Sequence, residues 1–372
     1  MFVITDDWAL VSHRLHLVKY AIAGGNIVSV VAKSSKFRAE IETTGANFYC
    51  WSLVRGSTNL AQEIKAIWEL KTFIKHFQPQ IIHAVALKPI IYSGLLCKIF
   101  KDIRLIAAMG GVGFVFTSNK IKAKLLKFPI KNVLKWVLEN TKSRLILQNV
   151  DNIKMFERLG ITKANTAILV RGSGVEIDKF FLSPMPNGIP LVILPARLLR
   201  DKGIFEFVEV ASRLQSQGLK SKFVLVGDID KDNPESLEIE IIQKWVDSGV
   251  IEHWRRTANM ANVYKKATIV CLPSYAEGLP KALLEAASCG RPIISFDVPG
   301  CREIVKHNVN GKLVEFQNIS ELEKSVKELL LDKKKCSVMG QNGRKLVEME
   351  FSDIIVNSKI SDIWHENDQT NF

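Results

Sequence analysis

Short, wholly apolar β-branched runs alternate with longer amphipathic segments along almost the entire chain, and this alternation constrains the fold more than any other feature. Buried parallel strands read as continuous apolar runs, and each needs a crossover segment before the next, so the pattern predicts βαβ units and parallel sheets. In the first half, strands are expected at residues 2–5, 27–31, 48–51, 81–83, 104–107, 145–147 and 167–170. In the second half they are expected at 191–195, 223–226, 250–253, 269–272 and 292–296, with helices between. After Gly311 the pattern reads as helical to the end. Between the two blocks, Phe181–Pro190 holds three prolines and a glycine in ten residues, a composition that forbids a regular element. The 372 residues therefore divide into a first domain over 1–180, a linker over 181–190, a second domain over 191–350 and a helical tail over 351–372.

Composition narrows the class. Hydrophobic residues make up 47% and charged residues 24%, enough to bury two cores and too apolar for a disordered chain. No run reaches the roughly 18 apolar residues of a membrane-spanning helix, the best candidate, Pro89–Cys97, being closed by Lys98. The opening Phe2-Val-Ile-Thr5 followed by Asp6-Asp7 lacks the basic start and apolar centre of a secretory signal, so a cytoplasmic location is expected. Six cysteines without a Cys-x-x-Cys pair suggest neither a zinc site nor a disulfide framework. Charge is distributed unevenly: residues 1–150 hold 21 Lys and Arg against 8 Asp and Glu, whereas 151–372 hold 30 of each. The whole excess of +13 lies in the first domain, which points to an anionic partner there, nucleic acid or a membrane surface.

The sharpest local signal is Pro273-Ser-Tyr-Ala-Glu277-Gly278-Leu279-Pro280-Lys-Ala-Leu-Leu-Glu285-Ala. A buried strand enters a tight loop, and Pro280 stands where a first helical residue would be, its missing N–H costing nothing there. Ligands of open α/β sheets bind beyond such strand ends, at helix N-termini whose free N–H groups attract anions and hydroxyl oxygens. Glu277 precedes the helix and Glu285 lies about five residues inside, a separation of roughly 8 Å along the axis. That spacing suits two hydroxyl-bearing rings on either side of a diphosphate. Taken alone, the same glutamates also fit ordinary acids near a helix start, where the dipole favours them.

These residues resemble the retaining glycosyltransferase family 4, whose donor motif is Glu-x7-Glu at a strand-loop-helix junction. Further family-like pieces follow in order: Gly172-Ser-Gly-Val175, Ala196-Arg197-Leu-Leu-Arg-Asp-Lys202-Gly203, Val298-Pro-Gly300-Cys-Arg-Glu303 and Asn310-Gly311. Ser12-His13-Arg14-Leu15 and Gly111-Val-Gly113-Phe-Val-Phe-Thr117 are similar to the capsule and O-antigen subgroup. The resemblance implies an α/β chain of GT-B fold, two Rossmann-like domains facing across a donor/acceptor cleft, with the helical tail crossing back to the first domain. It implies that Arg197 and Lys202 hold the donor diphosphate, that Glu277 binds the transferred sugar and that Glu285 binds the ribose. Gly278, Leu279 and Pro280 would line the sugar pocket, and Trp254 would stand near the nucleobase. Two cations can offset a pyrophosphate without a metal, so no metal or other cofactor is expected. The implied reaction moves a hexose or N-acetylhexosamine from a nucleotide sugar, UDP-linked, to a lipid-linked glycan acceptor in surface polysaccharide synthesis. The anomeric configuration would be retained, with the leaving diphosphate helping to deprotonate the acceptor. A nucleotide-sugar epimerase of the same fold and an inert scaffold subunit are the alternatives.

Other signals bear on the acceptor and the membrane. His13, after the first strand, and His83, at the end of another, are the polar candidates on the acceptor side, and His13 is assigned to catalysis together with Glu277. Gly111 and Gly113 let backbone approach a ligand closely, but the third glycine of a dinucleotide fingerprint is absent. Asp228-Ile-Asp230-Lys-Asp232 looks like a metal motif, yet it lacks the glycine and glutamate of a calcium loop and reads as a solvated acidic loop. From Asn119 to Arg144, Lys120, Lys122, Lys124, Lys127, Lys131 and Lys135 alternate with apolar residues including Phe128 and Trp136, with a break expected at Pro129. A basic amphipathic helix of this kind suits an anionic leaflet, at the inner face of the cell membrane. A packing helix with a solvated lysine face has the same pattern. No nucleic-acid motif or run of stacking aromatics is present, so nucleic acid is not an expected partner.

Overall fold

The computed structural model describes all residues except 112–115, 117–120, 140–142, 164–165, 231–232, 234 and 367–372, and for 121–124 the backbone alone. Gly113 and Lys120 lie outside the described residues, as do the side chains of Lys122 and Lys124. The chain forms two compact units, Met1–Ser173 with Asp353–Phe372, and Gly174–Ser352.

In the first unit, strands β1 (Phe2–Asp6), β2 (Ser29–Lys33), β3 (Asn47–Cys50), β4 (Ile81–Val85), β5 (Arg104–Met109), β6 (Arg144–Leu147) and β7 (Ala167–Leu169) form one parallel sheet. Its order is β3-β2-β1-β4-β5-β6-β7. Helices α1 (Asp7–Ala23) and α2 (Arg38–Glu42) cover one face, where Phe2, Ile4, Leu17 and Val30 form a core with Val356, Ile360 and Trp364. Helices α3 (Leu60–Phe77), α4 (Leu87–Ile99) and α5 (Ile121–Leu138) contribute to the core on the other face, and α6 (Val150–Arg158) follows β6. Gly94 lets α4 meet α5 closely, since a Cβ there would come within 2.6 Å of Val137. Helix α5 runs through Pro129 without the expected break. Pro129 lies on the exposed side, where the carbonyl it leaves unpaired can reach water.

In the second unit, β8 (Leu191–Pro195), β9 (Lys222–Val226), β10 (Glu252–Trp254), β11 (Ile269–Leu272), β12 (Ile293–Phe296) and β13 (Gly311–Val314) form a parallel sheet. The order is β10-β9-β8-β11-β12-β13. Helices α7 (Ile204–Ser216), α8 (Ile239–Asp247), α9 (Met260–Lys266), α10 (Lys281–Ser288) and α11 (Pro299–Ile304) connect these strands, and α12 (Ile319–Leu331) and α13 (Lys333–Glu350) follow. In both sheets the first and fourth strands are neighbours and the order reverses between them, which is the switch point where such sheets bind ligands.

Three expectations need correction. The chain after Gly311 is not wholly helical: Gly311–Val314 pairs with β12 along its length. Only glycine fits at the first position, because a Cβ would come within 2.1 Å of the Ile293 carbonyl oxygen. Residues 181–190 are not a free linker but part of the second unit. The buried Arg291 guanidinium holds them, its Nη2 donating to Ser183 O at 2.7 Å and Pro184 O at 2.9 Å. Pro280 is the N-cap of α10 rather than its first helical residue, with ψ 114°. The terminal helix α14 (Asp353–His365) belongs to the first unit, where Asn357 Oδ1 lies 2.8 Å from His16 Nδ1.

Candidate functional site

The loops after β8 and β11, the two strands at the switch point of the second unit, converge. Leu198 N–H donates to Asp228 O at 3.1 Å and Leu237 N–H to Leu198 O at 2.9 Å, which pins the loop carrying Arg197. The chain then turns through a short 3-10 helix, Arg200–Lys202, into Gly203 at φ +70°. A Cβ at Gly203 would lie 2.0 Å from the Pro273 carbonyl oxygen, so glycine alone lets this turn rest against the loop after β11. Tyr275 N–H donates to Asp201 O at 2.9 Å and ties the two loops together.

That contact brings Lys202 and Glu277 together, Nζ to Oε1 at 2.7 Å, with 13% and 14% of their side chains exposed. Burial alone would push the Lys202 ammonium down, but Glu277 and Asp201 outweigh it and the net displacement is upward. Burial raises the Asp201 carboxyl, and Glu277 adds to the effect. Gly300, at the start of α11, seats that helix on the same loop: a Cβ there would meet Gly278 O at 2.5 Å and Glu277 O at 2.6 Å. Leu279 and Pro280 are buried beneath it.

Glu285 lies on the first turns of α10. Its Oε2 accepts from the buried Tyr264 hydroxyl at 2.9 Å, and Lys281 Nζ stands 3.9 Å from Oε1. Burial raises the Glu285 carboxyl, against the opposing pull of Lys281 and the Tyr264 hydrogen bond. Burial lowers Lys281, only partly offset by Glu285. Tyr264 and Lys281 had no recognised role in the sequence. Lys281 sits inside the motif and Tyr264 has no spacing signal, since it reaches Glu285 from α9.

Arg197 Nη1 pairs with Asp230 Oδ2 at 2.5 Å, which gives Asp230 a cationic side-chain partner. Among the described residues no group of three or more His, Cys, Asp or Glu could hold a metal ion. Asp232 lies outside the described residues. Trp254 ends the edge strand β10, its Nε1 donating to Glu252 Oε2 at 3.1 Å and Lys266 Nζ 5.9 Å from its ring centre.

In the first unit, His13 is half-buried on α1, and its carbonyl oxygen lies 3.2 Å from His16 Nε2. Gly111 is exposed just beyond β5. His83 does not fit an acceptor role. It lies inside β4, 2% exposed, and Nδ1 accepts from Trp364 Nε1 at 3.1 Å while the Phe2 ring packs at 5.2 Å. Its imidazole is held well below the ordinary range by burial first, then by Arg14 and the N-terminal amine. His83 is a neutral core histidine that receives the C-terminal helix. Arg14, also buried, is lowered to about 10 by burial.

Residues 177–346 match the family described as glycosyl transferases group 1, and residues 1–149 the family described as glycosyl transferase 4-like. The N,N'-diacetylbacillosaminyl-diphospho-undecaprenol alpha-1,3-N-acetylgalactosaminyltransferase of Campylobacter jejuni is 26% identical over 334 residues, covering 86% of each chain. The UDP-Gal:alpha-D-GlcNAc-diphosphoundecaprenol alpha-1,3-galactosyltransferase of Escherichia coli is 25% identical over 343 residues, 85% of this chain and 83% of that one. Among solved structures, sucrose-phosphate synthase from Thermosynechococcus elongatus aligns over 98% of both chains with a TM-score of 0.83 at 18% identity. At that identity the likeness concerns the fold alone, and the two Rossmann-like units are those of the GT-B fold.

Proposed function

The chain being a glycosyltransferase assembled from a 4-like domain and a group 1 domain, we propose that it moves a hexose or N-acetylhexosamine from a UDP-sugar to an undecaprenyl-diphosphate-linked glycan. The reaction belongs to surface polysaccharide synthesis at the cytoplasmic face of the membrane. The observation that carries the reading is the Lys202–Glu277 pair, which stands with Arg197 at the sheet's switch point. A cation and a carboxylate side by side there match a donor that presents a diphosphate next to a hydroxyl-rich sugar. Support for the acceptor comes from the two bacterial relatives, both named for diphospho-undecaprenol substrates.

In this reading Arg197 and Lys202 hold the diphosphate, and the charge they supply makes a bound metal unnecessary. Glu277 accepts from sugar hydroxyls beside the Gly278–Pro280 backbone, and Glu285, oriented by Tyr264, accepts from the ribose. Trp254 stands toward the base. The bond from the anomeric carbon to the β-phosphate oxygen breaks, a bond to the acceptor oxygen forms, and the acceptor proton passes to the leaving diphosphate. The configuration is retained. His13 is the polar group assigned to the acceptor side, together with Gly111 and Gly113.

The membrane part of the reading rests on α5. Leu125, Phe128 and Trp136 are exposed on it, Lys98 Nζ lies 5.4 Å from the Trp136 ring centre, and Lys127, Lys131 and Lys135 accompany them, after Lys120, Lys122 and Lys124. Among the described residues no helix is long and apolar enough to cross a membrane, so attachment in this reading is to the anionic surface.

The test is a panel of UDP-, GDP- and dTDP-sugars offered with an undecaprenyl-diphosphate-linked acceptor, following nucleoside diphosphate release and the anomeric centre of the product by NMR. A UDP-sugar should be consumed only when the lipid-linked acceptor is present, and the new linkage should be α from an α-donor. Turnover with a soluble acceptor alone, or an inverted product, overturns the corresponding part.

A further inference from the structure

Helix α3 carries an apolar row that the proposed site does not use. Leu60, Ile64 and Trp68 are 73%, 58% and 64% exposed. They follow at i, i+4 and i+8, so they stand one above another on one face, over about 12 Å. Single exposed apolar residues are ordinary, but a contiguous row marks an interaction surface. The helix itself is firmly placed. Asn59 caps it by accepting from Ala61 N–H at 3.0 Å and Gln62 N–H at 3.4 Å, and Ala66, Leu70 and Ile74 bury its inner side.

Charge indicates what covers the row. The two acids of α3 are both engaged. Glu63 pairs with Lys88 at 2.7 Å and accepts from the Tyr92 hydroxyl, while Glu69 accepts from Ser52 N–H at 2.9 Å and lies 3.9 Å from Lys65. Lys65 and Lys75 are exposed and Lys71 is half-exposed. The outward surface is thus an apolar row among cations. Helix α5 has the same character, and α3 and α5 both pack against α4. Each follows a strand of one parallel sheet, so the helices run in the same direction. Leu60 and Ile64 therefore lie toward the same end of the layer as Leu125 and Phe128.

We propose that α3 is a second lipid-inserting element, with an anionic bilayer as its partner. Leu60, Ile64 and Trp68 enter the boundary between headgroups and acyl chains, and Lys65, Lys71 and Lys75 meet the headgroups. This rests on the proposed attachment of the chain to an anionic membrane, not on which helix makes it. A second copy of the chain is the competing occupant, and the +13 excess carried by residues 1–150 opposes such self-association. Apolar insertion resists salt, whereas lysine attraction fades as the Debye length shortens, so the contribution of the apolar row and that of the lysines are separable by ionic strength.

The experiment is co-sedimentation of the full chain with phosphatidylglycerol/phosphatidylethanolamine vesicles at low and high salt. The wild type is compared with Leu60→Ser/Ile64→Ser/Trp68→Ser and with Lys127→Gln/Lys131→Gln/Lys135→Gln. The α3 variant should lose the salt-resistant binding, roughly tenfold or more, and the lysine variant the salt-sensitive part. Brominated lipid should quench the wild type more than Trp68→Phe, a variant that keeps the fold. Salt-resistant binding unchanged in the triple variant, with equal quenching of Trp68→Phe, overturns the proposal. So does a wild-type dimer in light scattering that the α3 variant dissociates, since the row then seats a second copy. If only the lysine variant binds like the wild type, the α5 reading falls and the α3 proposal stands. No binding by the wild type removes both.

Discussion

Lys202 Nζ lies 2.7 Å from Glu277 Oε1, joining the loops that leave β8 and β11. The two side chains face each other in a site largely closed to water, 13% and 14% exposed. Removing one partner strands the other, which for a buried pair costs about 3 kcal/mol or more. Lys202→Met should therefore destabilise the second unit by about that amount, and Lys202→Met/Glu277→Gln by clearly less. Urea unfolding of the two variants checks this, and equal losses would mean the pair is not coupled. Because the folded Lys202 pKa is raised, this stabilisation is complete below the unfolded value and fades only as pH climbs through the folded one.

In the proposed site, Glu285 would cost stability and serve binding. Its raised pKa means that the folded chain holds the proton more tightly than the unfolded chain does. Stability is therefore full below the ordinary 4.5 and declines as pH rises through the folded value. Glu285→Gln should raise Tm at neutral pH and flatten that decline. It should weaken donor binding by about 1.5–3 kcal/mol, the worth of hydrogen bonds to a charged group. Calorimetry with the UDP-sugar beside a pH series of melting curves measures both, and unchanged donor affinity removes Glu285 from the site.

Metal dependence gives a third test. If Arg197 and Lys202 supply the positive charge, as proposed, transfer should survive excess EDTA at close to the untreated rate. Activity lost on chelation and restored by manganese would make Asp228 and Asp230 ligands instead.

Gly203→Ala should abolish donor binding without touching any side chain of the site. Its Cβ would lie 2.0 Å from a backbone oxygen and the residue would hold φ +70°, a cost of at least about 1–3 kcal/mol. A folded Gly203→Ala protein with wild-type donor affinity would show that the two loops need not touch.

His83 predicts an acid-side weakness. Its depressed pKa contributes stability that is present above the ordinary 6.5 and is lost as pH falls below it, because the unfolded chain takes up a proton the core refuses. Urea titrations between neutral and mildly acidic pH should show the wild type losing stability faster than His83→Phe. Parallel curves would assign the acid sensitivity to another group.

The strands of both sheets were legible because buried parallel strands leave contiguous apolar runs, as Leu191–Pro195 and Ile269–Leu272 do. β13 was not, because its Gly311 reads as a break and its Lys312 as surface, although Lys312 is buried and pairs with Glu328 at 2.9 Å. Arg197, Lys202, Glu277 and Glu285 could be singled out by motif. The pairings of Arg197 and Glu285 could not, since Asp230, which read only as part of an acidic loop, and Tyr264 arrive from other elements. His83 was misjudged for the same reason: its partner Trp364 lies 281 positions away. The segment 181–190 was misread because proline content reports what a backbone cannot form, not what Arg291 can hold.

The chain leaves the first unit after Ser173 and returns to it at Asp353, and this sets an order of assembly during synthesis. Every strand of the first sheet emerges from the ribosome before the second unit begins. The helix that covers Phe2 and His83 with Val356, Ile360 and Trp364 emerges only after the second unit is made. For the whole of that interval the core that α1 and α2 share with the terminal helix lacks Val356, Ile360 and Trp364, so the unit that is made first is the last to be completed.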